Sequence, residues 1–145
     1  MKIALVRREY ITHLDGVNRF IALLAEALVK LGHDVRILSW CYRDVEKELE
    51  KWFKEIHGLD TLIPIRTLIN HPCKGDPWIK IAADWYFKGS KILRREDFDA
   101  VIVNGVVPLR FNPKIAINHG ITLKTNRFYL AMIKMLYRHY DKVIC

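Results

Sequence analysis

The apolar positions of the chain change period several times, and each change marks a predicted element. Ile3, Ala4, Leu5 and Val6 form an unbroken apolar run closed by Arg7-Arg8, which reads as a short strand buried on both faces. Thr12 to Gly16 has turn chemistry. Val17, Phe20, Ile21, Leu24, Ala25 and Leu28 then recur at helical spacing, with Asp15 placed to cap the helix and Gly32 to stop it. Val35 to Trp40 reads as a second strand. Asp44 to His57 predicts a helix with Val45, Leu49, Trp52, Phe53 and Ile56 inward. Leu62-Ile63-Pro64-Ile65 reads as a strand that Pro64 confines to a sheet edge. Asn70 to Pro77 is loop chemistry, and Trp78 to Leu93 a third helix. Ala100–Val103 and Lys114–Ile117 are strands, Asn126 to Tyr140 is a helix, and Asp141 to Cys145 begins a last strand.

Strands that alternate with helices predict an α/β fold: a Rossmann-like, doubly wound, mostly parallel sheet with helices on both faces. Right-handed crossovers should make the strands at Ile3, Val35, Ala100 and Ala116 parallel neighbours. In such sheets ligands sit beyond the C-terminal ends of the strands. Residues just after a strand are therefore the first candidates for chemistry.

Composition narrows the class. With 145 residues, 51% of them hydrophobic and 28% charged, the chain can build a core and is not of the disordered type. The net charge of +8 suits a polyanionic or phosphorylated partner, or simply a solvated basic surface. Three cysteines, Cys41, Cys73 and Cys145, are an odd count without repeated spacing, which argues against a disulfide framework and for a reducing, cytoplasmic compartment. No apolar run approaches the ~20 residues of a membrane span. The Trp78–Leu93 segment mixes Trp78, Trp85, Tyr86 and Phe87 with Lys80, Lys88 and Lys91. That pattern fits either a half-buried core helix or a peripheral contact with the inner face of a membrane.

Two loops hold candidate binding chemistry. Gly16 opens a helix after the first strand, where free backbone N–H groups attract an anion and glycine allows close approach; the plain alternative is a turn glycine beside a capping Asp. Neither a dinucleotide fingerprint nor a P-loop is present. Asn118-His119-Gly120 follows the Lys114–Ile117 strand, where an imidazole can donate to a sugar hydroxyl or phosphate, or move a proton; the alternative is a loop His satisfied by backbone. Asp97-Phe98-Asp99 has the D-x-D spacing of a metal–diphosphate site, but it precedes a strand, at the wrong end of the sheet. His71 and Cys73 lack a second pair at zinc spacing, so no metal is expected.

Taken together and in order, several segments resemble one family. They are Met1-Lys2-Ile3-Ala4-Leu5-Val6, Asp15-Gly16-Val17-Asn18-Arg19-Phe20, Ala25-Glu26-Ala27-Leu28, Leu31-Gly32-His33-Asp34-Val35, Phe98 to Gly105, and Ala116-Ile117-Asn118-His119-Gly120. The chain resembles the N-terminal part of group 1 glycosyltransferases. The resemblance implies a GT-B enzyme with two Rossmann-like domains across a cleft, which moves a sugar from a nucleotide-sugar, commonly with retention and without an essential metal or other cofactor. Residues 1–145 would be the N-terminal, acceptor-side domain, without the donor-binding one, and inactive alone. By position, Gly16 would lie near the donor diphosphate and His119 would face the transferred sugar. Arg7, Asn18, Asn104, Gly105 and Gly120 would line the same cleft. The partners implied are a nucleotide-sugar, a sugar or lipid-linked acceptor, and a donor-domain polypeptide or a second copy; nucleic acid is not expected. Two departures stand out: Asp15 replaces the first of two family glycines, and Asn104 replaces a histidine. A non-catalytic or regulatory module on the same fold, holding a phosphorylated ligand on its basic surface, is the rival expectation.

Overall fold

The computed structural model describes residues 1–12, 14–42, 48–69, 76–118 and 127–144. Six strands form one sheet: β1 (Lys2–Tyr10), β2 (Asp34–Cys41), β3 (Ile65–Thr67), β4 (Ala100–Asn104), β5 (Lys114–Ile117) and β6 (Lys142–Ile144). All pairs are parallel and the order is β3-β2-β1-β4-β5-β6. From β1 the chain winds outward one way to β3, then returns to the middle at β4 and winds the other way to β6. Right-handed crossovers in opposite directions place their helices on opposite faces.

The two apolar clusters show this division. Ile3, Leu5, Val35 and Ile37 face helix α1 (Gly16–Lys30), through Ile21, Ala22 and Ala25, and α2 (Leu49–His57), through Phe53. Ala4, Val6, Leu38, Trp40, Val101, Val103 and Ala116 face the other way. They meet α3 (Trp78–Asp84), a π-helical turn (Trp85–Gly89), α4 (Ser90–Arg95) and α5 (Arg127–Tyr137) through Ile81, Trp85, Leu93 and Ile133. The doubly wound sheet with helices on both faces is as the alternation of elements predicts.

Several details differ from the pattern reading. β1 does not stop at the charges after Val6 but runs on to Tyr10. The predicted helix over Trp78–Leu93 is broken by the π turn, and the last helix ends at Tyr137, so that Tyr140 turns inward instead of extending it. On α2, Ile56 is exposed and His57 is buried in its place. Cys41 is buried and disulfide-bonded, against the expectation from the odd cysteine count.

Candidate functional site

The winding reverses between β1 and β4, and the crevice at their C-terminal ends is where a doubly wound sheet takes its ligands. Arg7 and Asn104 are direct register partners there, so their side chains leave the same face of the sheet. Gly105 follows at φ 91°, a left-handed conformation that a side chain resists, and its N–H donates to Ile117 O at 3.0 Å. Asn104 is buried and lines a narrow cleft under α1 with Phe20 and Ile117.

Asp15 organises the mouth of the crevice. Its Oδ1 caps α1 by accepting the Asn18 N–H at 2.7 Å, and its Oδ2 pairs with Arg7 Nη2 at 3.3 Å. The carboxylate that stands where the family has glycine is thus both turned to the helix and neutralised by a cation. Burial lowers the Arg7 pKa from its ordinary value, while Asp15 and Glu9 raise it. Arg7 Nε is buried and unpartnered among the described residues. Gly16 begins α1 with no described residue within 4 Å of where a Cβ would stand and with no left-handed backbone. Neither the described packing nor the conformation requires glycine at this position. Glycine leaves room beside the open helix end, where the helix carries about half a positive charge.

A bulge shapes the tip of β1. Between the pairs Arg7–Ser39 and Tyr10–Cys41, β1 holds one residue more than β2. The carbonyls there are taken up by buried side chains: Trp85 Nε1 donates to Arg8 O at 2.8 Å, Ser39 Oγ to Glu9 O at 2.8 Å, and Asn18 Nδ2 to Tyr10 O at 3.4 Å. Asn18 is fully buried, so it reaches the site through β1 and not by touching a ligand. Ser39 and Trp85 do the same work, and no motif singled them out. Their signal is a polar atom in an apolar element, which periodicity reads only as core.

The structure therefore brings Arg7, Gly16, Asn104 and Gly105 to one end of the sheet, with Asn18 beneath them. His119 and Gly120, the other two expected site residues, lie outside the described residues, as do His71 and Cys73. Asn118, just before them, ends the β5 segment and donates its N–H to Ile144 O at 2.8 Å. Asp97 and Asp99 sit at the opposite end of the sheet: Asp97 turns the chain at φ 49°, and Asp99 accepts the Lys2 N–H at 2.6 Å. Among the described residues, no group of three or more His, Cys, Asp and Glu comes together.

The aromatic helix divides by face. Trp85 and Ile81 are core, whereas Ile79 and Phe87 are exposed among Lys80, Lys88 and Lys91. Among the described residues no helix is long and apolar enough to cross a membrane.

Compared with known proteins, residues 14–145 match the model of Glycosyltransferase Family 4. No curated protein and no solved structure matches the chain.

Proposed function

Since the chain belongs to glycosyltransferase family 4, we propose that its β1–β4 crevice is the acceptor-side half of a sugar-transfer site in a GT-B enzyme. The observation that carries this reading is Gly16, a glycine unexplained by fold, at a helix N-terminus over the switch point. A nucleotide-sugar diphosphate would lie against the amides of Gly16 and Val17, with the Arg7 guanidinium, paired to Asp15, offering a hydrogen-bond donor beside them. His119 would face the sugar. In the transfer the bond from the anomeric carbon to the diphosphate oxygen breaks, an acceptor hydroxyl oxygen bonds to that carbon with retention, and the nucleoside diphosphate leaves with the electron pair and takes up the hydroxyl proton on its freed oxygen.

The acceptor hydroxyl and the donor must be held together at near-attack distance. One helix end and one guanidinium hold a diphosphate weakly in open water, so the firm grip belongs to a donor-binding domain facing this one. Exposed Ile79 and Phe87, with Lys88, Lys91 and Arg94 around them, support an acceptor that is lipid-linked and met at a membrane surface.

The test is label transfer from a panel of nucleotide-sugars to lipid and sugar acceptors. Residues 1–145 alone should give no turnover, and a family donor-binding domain added in trans should restore it. In that reconstituted enzyme His119→Ala should lower turnover more than it weakens binding. Robust turnover by residues 1–145 alone contradicts the half-site reading, and unchanged turnover of His119→Ala removes His119 from the site.

A further inference from the structure

The connection from β4 to β5, residues 105–113, crosses the sheet between α4 and α5 without helix. An extended chain is about 5 Å across and a helix about 10 Å. The helical layer is therefore thinner here than on either side, and a trough of about 350 Å³ remains. That is room for about a dozen waters, at the lower end of the range of small-ligand sites. Its lining runs from Val107 and Pro108, soon after β4, to Lys114, the first residue of β5, and belongs to the face of the sheet opposite the α1 side onto which Asn104 turns.

Among the described residues the lining is apolar and aromatic, with cations and no carboxylate. Tyr86 lines it from the π turn, Leu136 from α5, and the buried Tyr140 from the segment before β6. Tyr140 is fixed by two bonds to the loop: its OH donates to Val107 O at 2.7 Å and accepts the Val107 N–H at 3.1 Å. Arg110 stacks its guanidinium 4.2 Å from the centroid of Tyr86. Lys114 is 94% buried, and its Nζ meets only neutral acceptors, Leu109 O at 3.0 Å and Asn112 Oδ1 at 3.4 Å. The nearest carboxylate, Asp141, is turned to the Lys114 backbone N–H at 2.7 Å. Burial pulls the Lys114 pKa down and Asp141 pulls it up, with burial the larger effect. Among the described residues the trough thus holds a buried cation hydrogen-bonded to neutral oxygens alone, a second cation stacked on an aromatic ring, and His139.

We propose that this trough is a second ligand site, for a small anion carrying an apolar body, such as the phosphate ester of an aryl or short alkyl group. The head lies among Arg110, Lys114 and His139, and the body against Tyr86, Leu136 and Tyr140. Such an ion supplies a counter-charge to Lys114 and covers the apolar lining.

The probes are phenyl phosphate, inorganic phosphate and benzyl alcohol, titrated into the whole chain and followed by amide NMR. Phenyl phosphate should saturate and move the Arg110, Lys114 and His139 amides. Each of the other two should bind about tenfold or more weakly, because each lacks one half of the match. Leu136→Trp should fill the trough and abolish binding, while Arg110→Ala, at an exposed position, should leave the fold intact and weaken binding about tenfold. The proposal is overturned if phenyl phosphate does not saturate, if inorganic phosphate binds as well as the ester, or if both variants bind as before. It is overturned too if the shifts gather at Gly16 and Gly105, since the ester then occupies the transfer crevice. A null result in the label-transfer assay leaves the trough unaffected, because its readout is independent of turnover.

Discussion

At the scale of single residues, three positions separate fold from function. Among the described residues Gly16 has open space around it and an ordinary backbone, so Gly16→Ala should change stability by no more than about 0.5 kcal/mol in urea unfolding. The same methyl group should nevertheless lower turnover in the reconstituted enzyme, because it stands where the diphosphate approaches. Gly89 is the opposite case. A Cβ there would lie 2.6 Å from the ring of Trp85, which is fully buried and cannot swing away. Gly89→Ala should therefore cost about 1–3 kcal/mol, read as a lower urea midpoint. His57 is a pH-sensitive residue: its ring packs edge-on to Phe53 at 4.5 Å, and its Nε2 is buried without a partner among the described residues. Burial, reinforced by the charge of Arg19, holds its pKa below the ordinary 6.5. The unfolded chain then binds the proton first, so this contribution to stability is full above about pH 6.5 and falls away as the pH drops below it. His57→Gln should flatten the slope of stability against pH in that window; an unchanged slope would show that His57 does not set it.

At the scale of elements, the tip of β1 is the feature on which the site depends. The bulge leaves carbonyls that three helices and strands must satisfy, through Trp85, Ser39 and Asn18. Ser39→Ala removes the hydroxyl that donates to the part-buried Glu9 carbonyl and should cost about 1 kcal/mol, measured by thermal or urea unfolding. Because Arg7 lies at the base of the same bulge, the loss should also displace the guanidinium from Asp15. Most of this framework was legible in the sequence. Runs such as Ala100–Val103 are too apolar for anything but a buried parallel strand, and Asp15 before Val17-Phe20-Ile21 can be read as a cap. The extension of β1 through Arg7-Arg8-Glu9-Tyr10 was not legible, because its polar residues are held by tertiary bonds that no local pattern records. The π turn was hidden for a similar reason: it adjusts one helical register to seat Trp85 against Gly89, and Ile56 lost its place to His57 for want of a contact that periodicity cannot rank.

At the scale of the whole molecule, the topology gathers into one crevice residues that lie about a hundred positions apart in the chain. Arg7, Gly16, Asn104 and Gly105 were legible as candidates because each follows a strand or opens a helix, and the sheet order then brings them to the same edge. The trough around Lys114 was not legible, since it arises from a helix missing between two others, and nothing in residues 105–113 announces what a neighbour fails to fill. The Asn104 side of the crevice and the trough lie on opposite faces of the sheet, so the chain should bind a nucleotide-sugar at the crevice and leave the trough unmoved. The most direct measurement is amide NMR of the chain titrated with UDP-, GDP- and ADP-sugars. The account predicts weak binding of one of them, at about millimolar concentration, with shifts at Gly16, Val17 and Gly105 and none at Gly32 or Gly58. Shifts confined to residues away from the β1–β4 crevice, or no shift at Gly16 with any nucleotide-sugar, would contradict it.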